Sequence, residues 1–296
     1  MNPRIYQTRA YSIFSFCNVI FMGILALTCL LPMIHVLAVS FSDAASAGAN
    51  KVTFWPMGFN TAAYELVFRN AVFGRSFLIS VIRTLVGTVI SLLCTILVAY
   101  PLSKEKEELW GRNVLRWVFI IPMLINGGIV PGFILIRNLG LINSIWALIL
   151  PGCVPSMYIV MMMNFFRGIN AGLLDSARID GADEFTILLR IMLPLSGASM
   201  ATIVLFTMVN YWNEWFGGLI FMSERSMWPL QTLLQQMMKS MDMTGFSSSD
   251  ITMLSKLSDR SFRSAEIIIA TVPIMCVYPF MQRFFISGIT LGSVKE

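Results

Sequence analysis

The chain has 296 residues and a formal net charge of +5, and 56% of its residues are hydrophobic against 12% charged. Soluble domains carry about 25% charged residues, so this composition excludes an ordinary soluble protein and predicts an integral membrane protein. The positive charge is thinly spread, which argues against a nucleic-acid-binding patch and predicts no nucleic-acid partner.

Hydropathy predicts an all-α fold with six membrane-spanning helices in a single transmembrane domain, 1–296. About 20 apolar residues suffice to cross the hydrocarbon core. In chain order, the predicted spans cover about 14–40, 72–102, 117–136, 144–166, 197–222 and 264–286. A polar segment, 167–195, separates spans four and five, and a longer loop, 223–263, separates spans five and six.

Six spans place both termini on the same side of the membrane. If that side is the cytoplasm, the inner segments hold eleven Lys and Arg residues and the outer loops hold eight. This small excess has the direction of the positive-inside rule. It is too small to fix the orientation alone, so the orientation rests mainly on the polar segment 167–195 and on the side at which it meets a partner.

Span two contains two arginines, Arg75 and Arg83. An arginine inside a span is costly unless it faces protein or water. Arg75 lies near the outer end, where its side chain can reach the interface. Arg83 lies about two turns deeper, which makes it the candidate for a cavity residue.

Span five contains a polar and aromatic run. Its members are Asn210, Tyr211, Trp212, Asn213, Glu214 and Trp215. Flat aromatic faces beside hydrogen-bonding groups are suited to sugar rings, which predicts a substrate pathway. Two structural interpretations remain open: the aromatic residues belong to the packing or to an interfacial belt, or Glu214 pairs with Arg83.

The polar segment 167–195 has a helical pattern on both sides of a glycine. Asp175, Arg178 and Asp180 lie among small residues, Gly181 breaks the pattern, and a helical period resumes with Phe185. We expect a helix, a glycine-centred turn and a second helix, hereafter the ledge (residues 167–195). Such a ledge suits docking into a groove of a partner; the alternative is an ordinary loop on the membrane surface.

The ledge resembles the EAA loop of bacterial ABC importer membrane subunits. The string D-S-A-x-x-D-G-A begins at Asp175, and I-x-L-P-L ends at Leu195. Three positions depart from the family pattern: Asp175 stands for Glu, Ser176 for Ala, and Ala198 for the final Pro. The resemblance implies a coupling helix that sits in a cleft of the ATPase subunit. The residues it assigns to this contact are Asp175, Ser176, Ala177, Asp180, Gly181, Ala182 and Phe185.

Further motifs along the chain, including A-Y-P-L-S-K at 99–104 and N-G-G at 126–128, resemble the carbohydrate-uptake permease class. Within that class they are most similar to the second membrane subunit of alginate and polysaccharide oligosaccharide importers. The resemblance implies the type I ABC importer permease fold in the bacterial inner membrane, with both termini cytoplasmic and transport by alternating access. Its C-terminal tail, 282–296, can reach towards the ATPase dimer.

The resemblance also implies the partners. These are a second homologous permease subunit, two ATPase subunits that hold ATP and Mg²⁺, a periplasmic solute-binding protein, the lipid membrane and an oligosaccharide substrate. The loop 223–263 would meet the binding protein, with Pro229, Leu230 and Gln231 as contact candidates. An acidic, alginate-like cargo would need a compensating cation in the pathway, and Arg83 is that candidate.

The sequence predicts a transport subunit without cofactor, metal site or catalytic residues of its own. It contains one histidine, no C-x-x-C pair and no P-loop, G-x-S-x-G or H-E-x-x-H motif. Three alternatives stay open: an ion-driven secondary transporter, a structural membrane protein without cargo, and an ABC permease for another solute.

Overall fold

The structure, a computed structural model, describes residues 9–105, 109–125, 127–240 and 258–292. These residues form helices and connecting segments without a β-strand, which confirms the all-α fold class. The helices are α1 (Arg9–Ser40), α2 (Ala44–Gly48), α3 (Ala62–Arg69), α4 (Phe73–Ser103), α5 (Arg112–Leu124), α6 (Ile129–Asn138), α7 (Ile145–Ile149), α8 (Ser156–Arg167), α9 (Ala171–Ile179), α10 (Glu184–Ile187), α11 (Leu193–Leu195), α12 (Gly197–Asn213), α13 (Phe216–Phe221), α14 (Leu230–Ser240) and α15 (Asp259–Gly292). Residues 241–257 of the predicted outer loop and 293–296 of the predicted tail lie outside the described residues.

Short irregular helices complete this order. Leu150–Gly152 and Arg225–Met227 are 3₁₀-helices. Leu188–Met192 is a π-helix that joins α10 to α11. Single-turn π-segments inside helices are rare, and those that occur are often found at functional sites. This π-helix lies in the ledge, which makes the ledge a candidate functional region.

Within the described part of the chain, three helices are long and apolar enough to cross a membrane by themselves. They are Tyr11–Ser40, Phe73–Ser103 and Asp259–Phe280. Three bent pairs bring the number to as many as six if each pair is one span: Arg112–Leu124 with Ile129–Asn138, Ile145–Gly152 with Ser156–Arg167, and Glu184–Leu195 with Gly197–Asn213.

The bent pairs change the form of the predicted spans. Spans 117–136 and 144–166 each fall on helices that meet at an angle, which is 44° at the second of them. Pro151 and Pro155 lie at that bend, where proline removes helix hydrogen bonds. Span 197–222 falls on α12 and α13, which are separated between Asn213 and Phe216.

The chain divides into two compact units, and the first contains Met1–Ala71 and Met243–Thr271. Its small apolar cluster consists of Ala38, Val39, Ala47 and Val52. Asp43 caps α2, because its Oδ1 accepts a hydrogen bond from the Ser46 backbone N–H at 2.6 Å. The amide dipole of this bond lowers the pKa of Asp43.

The second unit contains Val72–Asp242 and Val272–Glu296, and it is organised around α4. Helices α8 and α12 pack along this helix. The apolar core lies at its C-terminal half, and twelve buried residues form it: Ile96, Ala99, Tyr100, Leu102, Ile159, Met162, Met163, Phe166, Ile187, Leu188, Met192 and Ile203. The core therefore joins α4 to α8, to the second half of the ledge and to α12.

Small and polar residues on α4 permit this close packing. The buried stripe repeats about every four residues and comprises Ser76, Ser80, Thr84, Gly87, Thr88, Ser91 and Thr95. Small residues at helix contacts let the backbones approach in membrane proteins. At Gly87 a Cβ atom would lie 2.7 Å from the ring of Tyr211, so only glycine leaves room for that ring.

Candidate functional site

A cavity of about 530 Å³ lies in the second unit beside the N-terminal half of α4. Residues of α6, α7, α8, α12 and α13 also line it, and most of its wall is apolar. The lining residues with polar side chains are Arg83, Tyr158, Thr207, Asn210, Tyr211 and Glu214. Four of the predicted pathway residues, Arg83, Asn210, Tyr211 and Glu214, therefore share one cavity.

Arg83 and Glu214 form an ion pair in the wall of the cavity. The Arg83 Nη2 donates to the Glu214 Oε2 at 2.7 Å, so the pairing that the sequence left open as a structural interpretation is present. The Arg83 side chain is 1% exposed and that of Glu214 is 40% exposed. Within the described part of the chain, the Nε and Nη1 of Arg83 have no hydrogen-bond partner. The arginine is thus desolvated and only partly compensated.

Glu214 also controls the local backbone. Its Oε1 accepts from the Gly217 N–H at 2.5 Å, and it lies between the end of α12 and the start of α13. One carboxylate therefore binds a charge on α4 and holds the first turn after a break in the helical path.

Three polar side chains from two helices form the other side of the site. The Asn210 Nδ2 donates to the Tyr158 hydroxyl at 2.8 Å. The Tyr211 hydroxyl donates to the Ile149 carbonyl at 2.9 Å and lies 3.3 Å from the Ser91 hydroxyl. Such hydroxyl and amide groups beside an aromatic ring can bind the hydroxyl edge and the flat face of a sugar.

The remaining members of the predicted run do not line the cavity. Trp212 is 4% exposed, and its ring packs edge-on against Phe77 at 6.0 Å. Asn213 is exposed. The ring of Trp215 packs edge-on against Phe216. Trp212 and Asn213 point away because α12 brings only every third or fourth residue to one face, and Trp215 lies in the break between α12 and α13.

Sequence reasoning missed Thr207 and Tyr158, which do line the cavity. The helical period held the signal for Thr207, since positions 207, 210, 211 and 214 share a face in an α-helix. No local pattern indicates Tyr158, because it comes from α8 and meets Asn210 only through the tertiary fold.

The ledge contains the predicted helix, turn and helix, which the structure confirms. Gly181 has φ +79°, in the left-handed region that favours glycine. Its N–H donates to the Arg178 carbonyl and the Ala182 N–H donates to the Ala177 carbonyl, both at 3.0 Å. This pair of bonds is a Schellman motif, which ends α9 and satisfies its last carbonyls.

The two faces of the ledge differ in exposure. Leu174, Ala177 and Ala182 pack against the apolar core. On the other face, Ile179 is 86% exposed and Phe185 is 62% exposed. Exposed apolar residues beside polar ones are typical of a binding surface.

The other predicted coupling residues lie around this surface. Asp175 is exposed and forms an ion pair with Arg178 at 3.6 Å. The Ser176 hydroxyl donates to the Gly172 carbonyl at 2.8 Å, and Asp180 is the exposed C-cap of α9.

Glu184, the first residue of α10, connects the ledge to the C-terminal end of α4. Its Oε2 accepts from the Lys104 Nζ at 2.6 Å and from the Tyr100 hydroxyl. Its Oε1 accepts from the Arg178 Nη2 at 3.3 Å. Partial burial raises the pKa of Glu184, but the hydrogen bonds from Lys104 and Tyr100 outweigh it and hold the pKa below its usual value.

Among the described residues, three arginines donate to carbonyls at the end of α4, those of Leu102 and of Lys104, which follows the helix. Arg116 and Arg167 donate to the Leu102 carbonyl, and Arg112 donates to the Lys104 carbonyl. Cations are favourable at a helix C-terminus. This end of α4 is thereby fixed in position beside the ledge.

The predicted binding-protein contacts are largely internal. Leu230 is 0% exposed, and its N–H donates to the Ser80 hydroxyl at 2.7 Å. Pro229 is buried and Gln231 is half-buried. Pro229 and Leu230 therefore anchor α14 on α4, so a partner on this side would meet their more exposed neighbours.

Comparison with known proteins gives consistent matches. The family model for the binding-protein-dependent transport system inner membrane component matches residues 91–291. Protein LplC of Bacillus subtilis is 36% identical over 290 residues, which cover 98% of this chain and 97% of LplC. The polygalacturonan/rhamnogalacturonan transport system permease protein YtcP of B. subtilis is 38% identical over 276 residues, which cover 93% of this chain and 96% of YtcP.

A solved structure shares the fold. It is the crystal structure of a bacterial ABC transporter involved in the import of the acidic polysaccharide alginate. One of its chains has a TM-score of 0.81 and 28% sequence identity, over 95% of this chain and 99% of that chain.

Proposed function

Because the chain belongs to the family of binding-protein-dependent transport system inner membrane components, we propose that it forms part of the passage for an acidic oligosaccharide. As a member of this family, the chain is a membrane subunit of an ABC importer and not an enzyme. The single observation that carries the acidic class is the desolvated Arg83 in the cavity wall. Two relatives support it, since one is named for polygalacturonan transport and the other for alginate import.

The cavity offers the groups that such a cargo needs. Tyr158 and Asn210 present hydroxyl, aromatic and amide groups, and Arg83 provides a fixed positive charge in the wall. Tyr211 also lines the cavity but is only 7% exposed. A uronate carboxylate that enters an apolar cavity loses its water, which is costly unless a cation replaces it. We infer that a cargo carboxylate competes with Glu214 for Arg83, because Glu214 is the more exposed partner and has a second donor in the Gly217 N–H.

The remaining roles follow the family. We propose that the exposed residues Ile179 and Phe185 of the ledge enter a cleft of an ATPase subunit, and that the loop 223–263 meets the loaded periplasmic binding protein. Two ATPase subunits would hold ATP and Mg²⁺, and a second permease subunit would complete the passage. Both termini would then face the cytoplasm, and the cycle would alternate access between the two sides.

Uptake into proteoliposomes that contain the complete complex and a loaded binding protein tests this function. We expect ATP-dependent uptake of a labelled uronate oligosaccharide. Arg83→Gln should reduce acidic uptake about tenfold or more, since an unpaired buried charge costs several kcal/mol, and should affect a neutral oligosaccharide of equal length much less. Arg75→Gln is the matched control, because Arg75 lies on the same helix but is exposed.

Two outcomes would contradict the proposal. An equal loss of acidic and neutral uptake in Arg83→Gln would remove the acidic assignment. Uptake that persists without ATP under an ion gradient would favour the secondary transporter instead.

A further inference from the structure

Helix α4 is one continuous helix of 31 residues, and polar contacts lie near its start, at the cavity and at its C-terminal end. Ser80 binds the N–H of Leu230 at the start of α14. Arg83 binds Glu214 at the cavity, and Tyr100 and Lys104 bind Glu184 of the ledge. A helix rises about 1.5 Å per residue, so the contacts at Arg83 and Tyr100 lie about 25 Å apart on one rod.

Glu184 is well placed to transmit movement to α4. It follows the turn at Gly181 by three residues and begins α10. Its partners on α4 are fixed in their turn: Tyr100 is 8% exposed and packs edge-on against Phe166 at 6.1 Å. The Lys104 ammonium lies 4.6 Å from the centre of the Tyr100 ring.

The contact is also directional. The ledge also contacts the core through apolar side chains, among them those of Ala177, Ala182, Ile187, Leu188 and Met192, and apolar contact has no preferred direction. The Glu184 carboxylate instead accepts charge-assisted hydrogen bonds from Lys104 and Arg178, which fix its position more strictly. The bonds from Lys104 and Tyr100 cross from the end of α4 to the ledge, whereas the bond from Arg178 lies within the ledge and fixes the carboxylate there. Displacement of the ledge away from α4 would therefore stretch the bonds from Lys104 and Tyr100 and pull on the helix.

We propose that Glu184 is a positioning residue that transfers movement of the ledge to α4, and through α4 to the Arg83–Glu214 pair in the cavity. The proposal rests on the proposed function, because an ATPase must drive the ledge. It predicts that loss of this contact separates ATP hydrolysis from transport while the complex still assembles.

The test compares Glu184→Gln, Lys104→Gln, Tyr100→Phe and the double variant Glu184→Gln/Lys104→Gln in the reconstituted complex. The readout is the amount of oligosaccharide imported per ATP hydrolysed. We expect each of the Gln variants to lower this ratio about fivefold, the lower end of the usual coupling range, and Tyr100→Phe to lower it less. The double variant should be no worse than either single one, because all remove the same contact.

Two further variants exclude a general structural effect. Glu105→Gln, which removes an exposed carboxylate of the same segment, should leave the ratio unchanged. Reversal of both charges in Glu184→Lys/Lys104→Glu should restore part of the ratio that each reversal alone removes, and not all of it, because the new lysine lies beside Arg178.

A second readout requires no sugar. ATP should change hydrogen exchange of α4 around Arg83 in the wild-type complex and not in Glu184→Gln. This separates the two proposals, because failed import by the wild type would count against the proposed function alone.

Three outcomes would overturn the role of Glu184. The first is a lowered ratio of import to ATP hydrolysis in Glu184→Gln together with wild-type ratios in Lys104→Gln and Tyr100→Phe, which would mean that Glu184 acts on the ATPase directly. The second is a double variant whose loss is the product of the single losses. The third is an unchanged ATP-dependent exchange around Arg83 in Glu184→Gln.

Discussion

Replacement of Gly181 by alanine tests the turn on which the ledge depends. Gly181 has φ +79°, a conformation that costs an L-residue about 1–2 kcal/mol. A Cβ at this position would meet nothing within 4 Å. The whole cost is therefore conformational, and Gly181→Ala should destabilise the turn by about 1–2 kcal/mol.

Hydrogen exchange measures this cost directly. The N–H groups of Gly181 and Ala182 are protected by their bonds to the Arg178 and Ala177 carbonyls. A loss of 1–2 kcal/mol raises the open population about 5- to 30-fold, so exchange in a peptide covering 171–183 should accelerate by this factor. Gly181→Asn should show a smaller effect, because asparagine enters the left-handed region more readily.

Gly197→Ala is the matched control for this prediction. A Cβ at Gly197 also meets nothing within 4 Å, and its φ lies outside the left-handed region. Alanine should be neutral there or stabilise by up to about 1 kcal/mol. Equal exchange in the ledge peptide of the two variants would refute the argument that the left-handed φ of Gly181 holds the turn.

Two further predictions concern the core and the ledge. Gly87→Ala should destabilise by about 1–3 kcal/mol through overpacking against Tyr211, seen as a lower unfolding temperature than in Gly74→Ala, where a Cβ meets nothing within 4 Å. The pKa of Glu184 is lower in the folded protein than its ordinary value near 4.5. The bond to Lys104 therefore contributes its full stabilisation above about pH 4.5, and this stabilisation is lost as the pH falls through the lower folded pKa. The unfolding-temperature difference between wild type and Glu184→Gln should therefore shrink below about pH 4.5, and it should correspond to no more than about 1 kcal/mol because the carboxylate is exposed.

The sequence predicted best those features that depend on local patterns. Continuous hydropathy predicts α1 and α4, and a glycine between two helical periods predicts the turn at Gly181. The bends in the middle of the chain depend also on how the helices pack in the folded protein. Pro151 and Pro155 indicate a weak point, but the 44° angle is set by what the two short helices pack against.

The candidate site shows the same division. Residue type alone selected Trp212 and Asn213 as pathway residues, whereas the helical face of α12 turns them away from the cavity. Thr207 lies on the correct face and was overlooked because a lone threonine in an apolar span has no distinctive composition. Glu184 lies 84 residues from Tyr100 and 80 residues from Lys104, so no spacing rule joins it to them.

The Arg83–Glu214 pair connects these observations to transport. A buried cation inside a span is tolerated only with a compensating partner, and Glu214 is the anion that binds it directly. Because Glu214 also accepts from the Gly217 N–H through its other oxygen, it keeps a donor when an acidic cargo takes its place on Arg83. Recognition of a carboxylate would then change the contact between α4 and the break that separates α12 from α13, whereas a neutral sugar, which cannot replace the anion, would leave the pair intact.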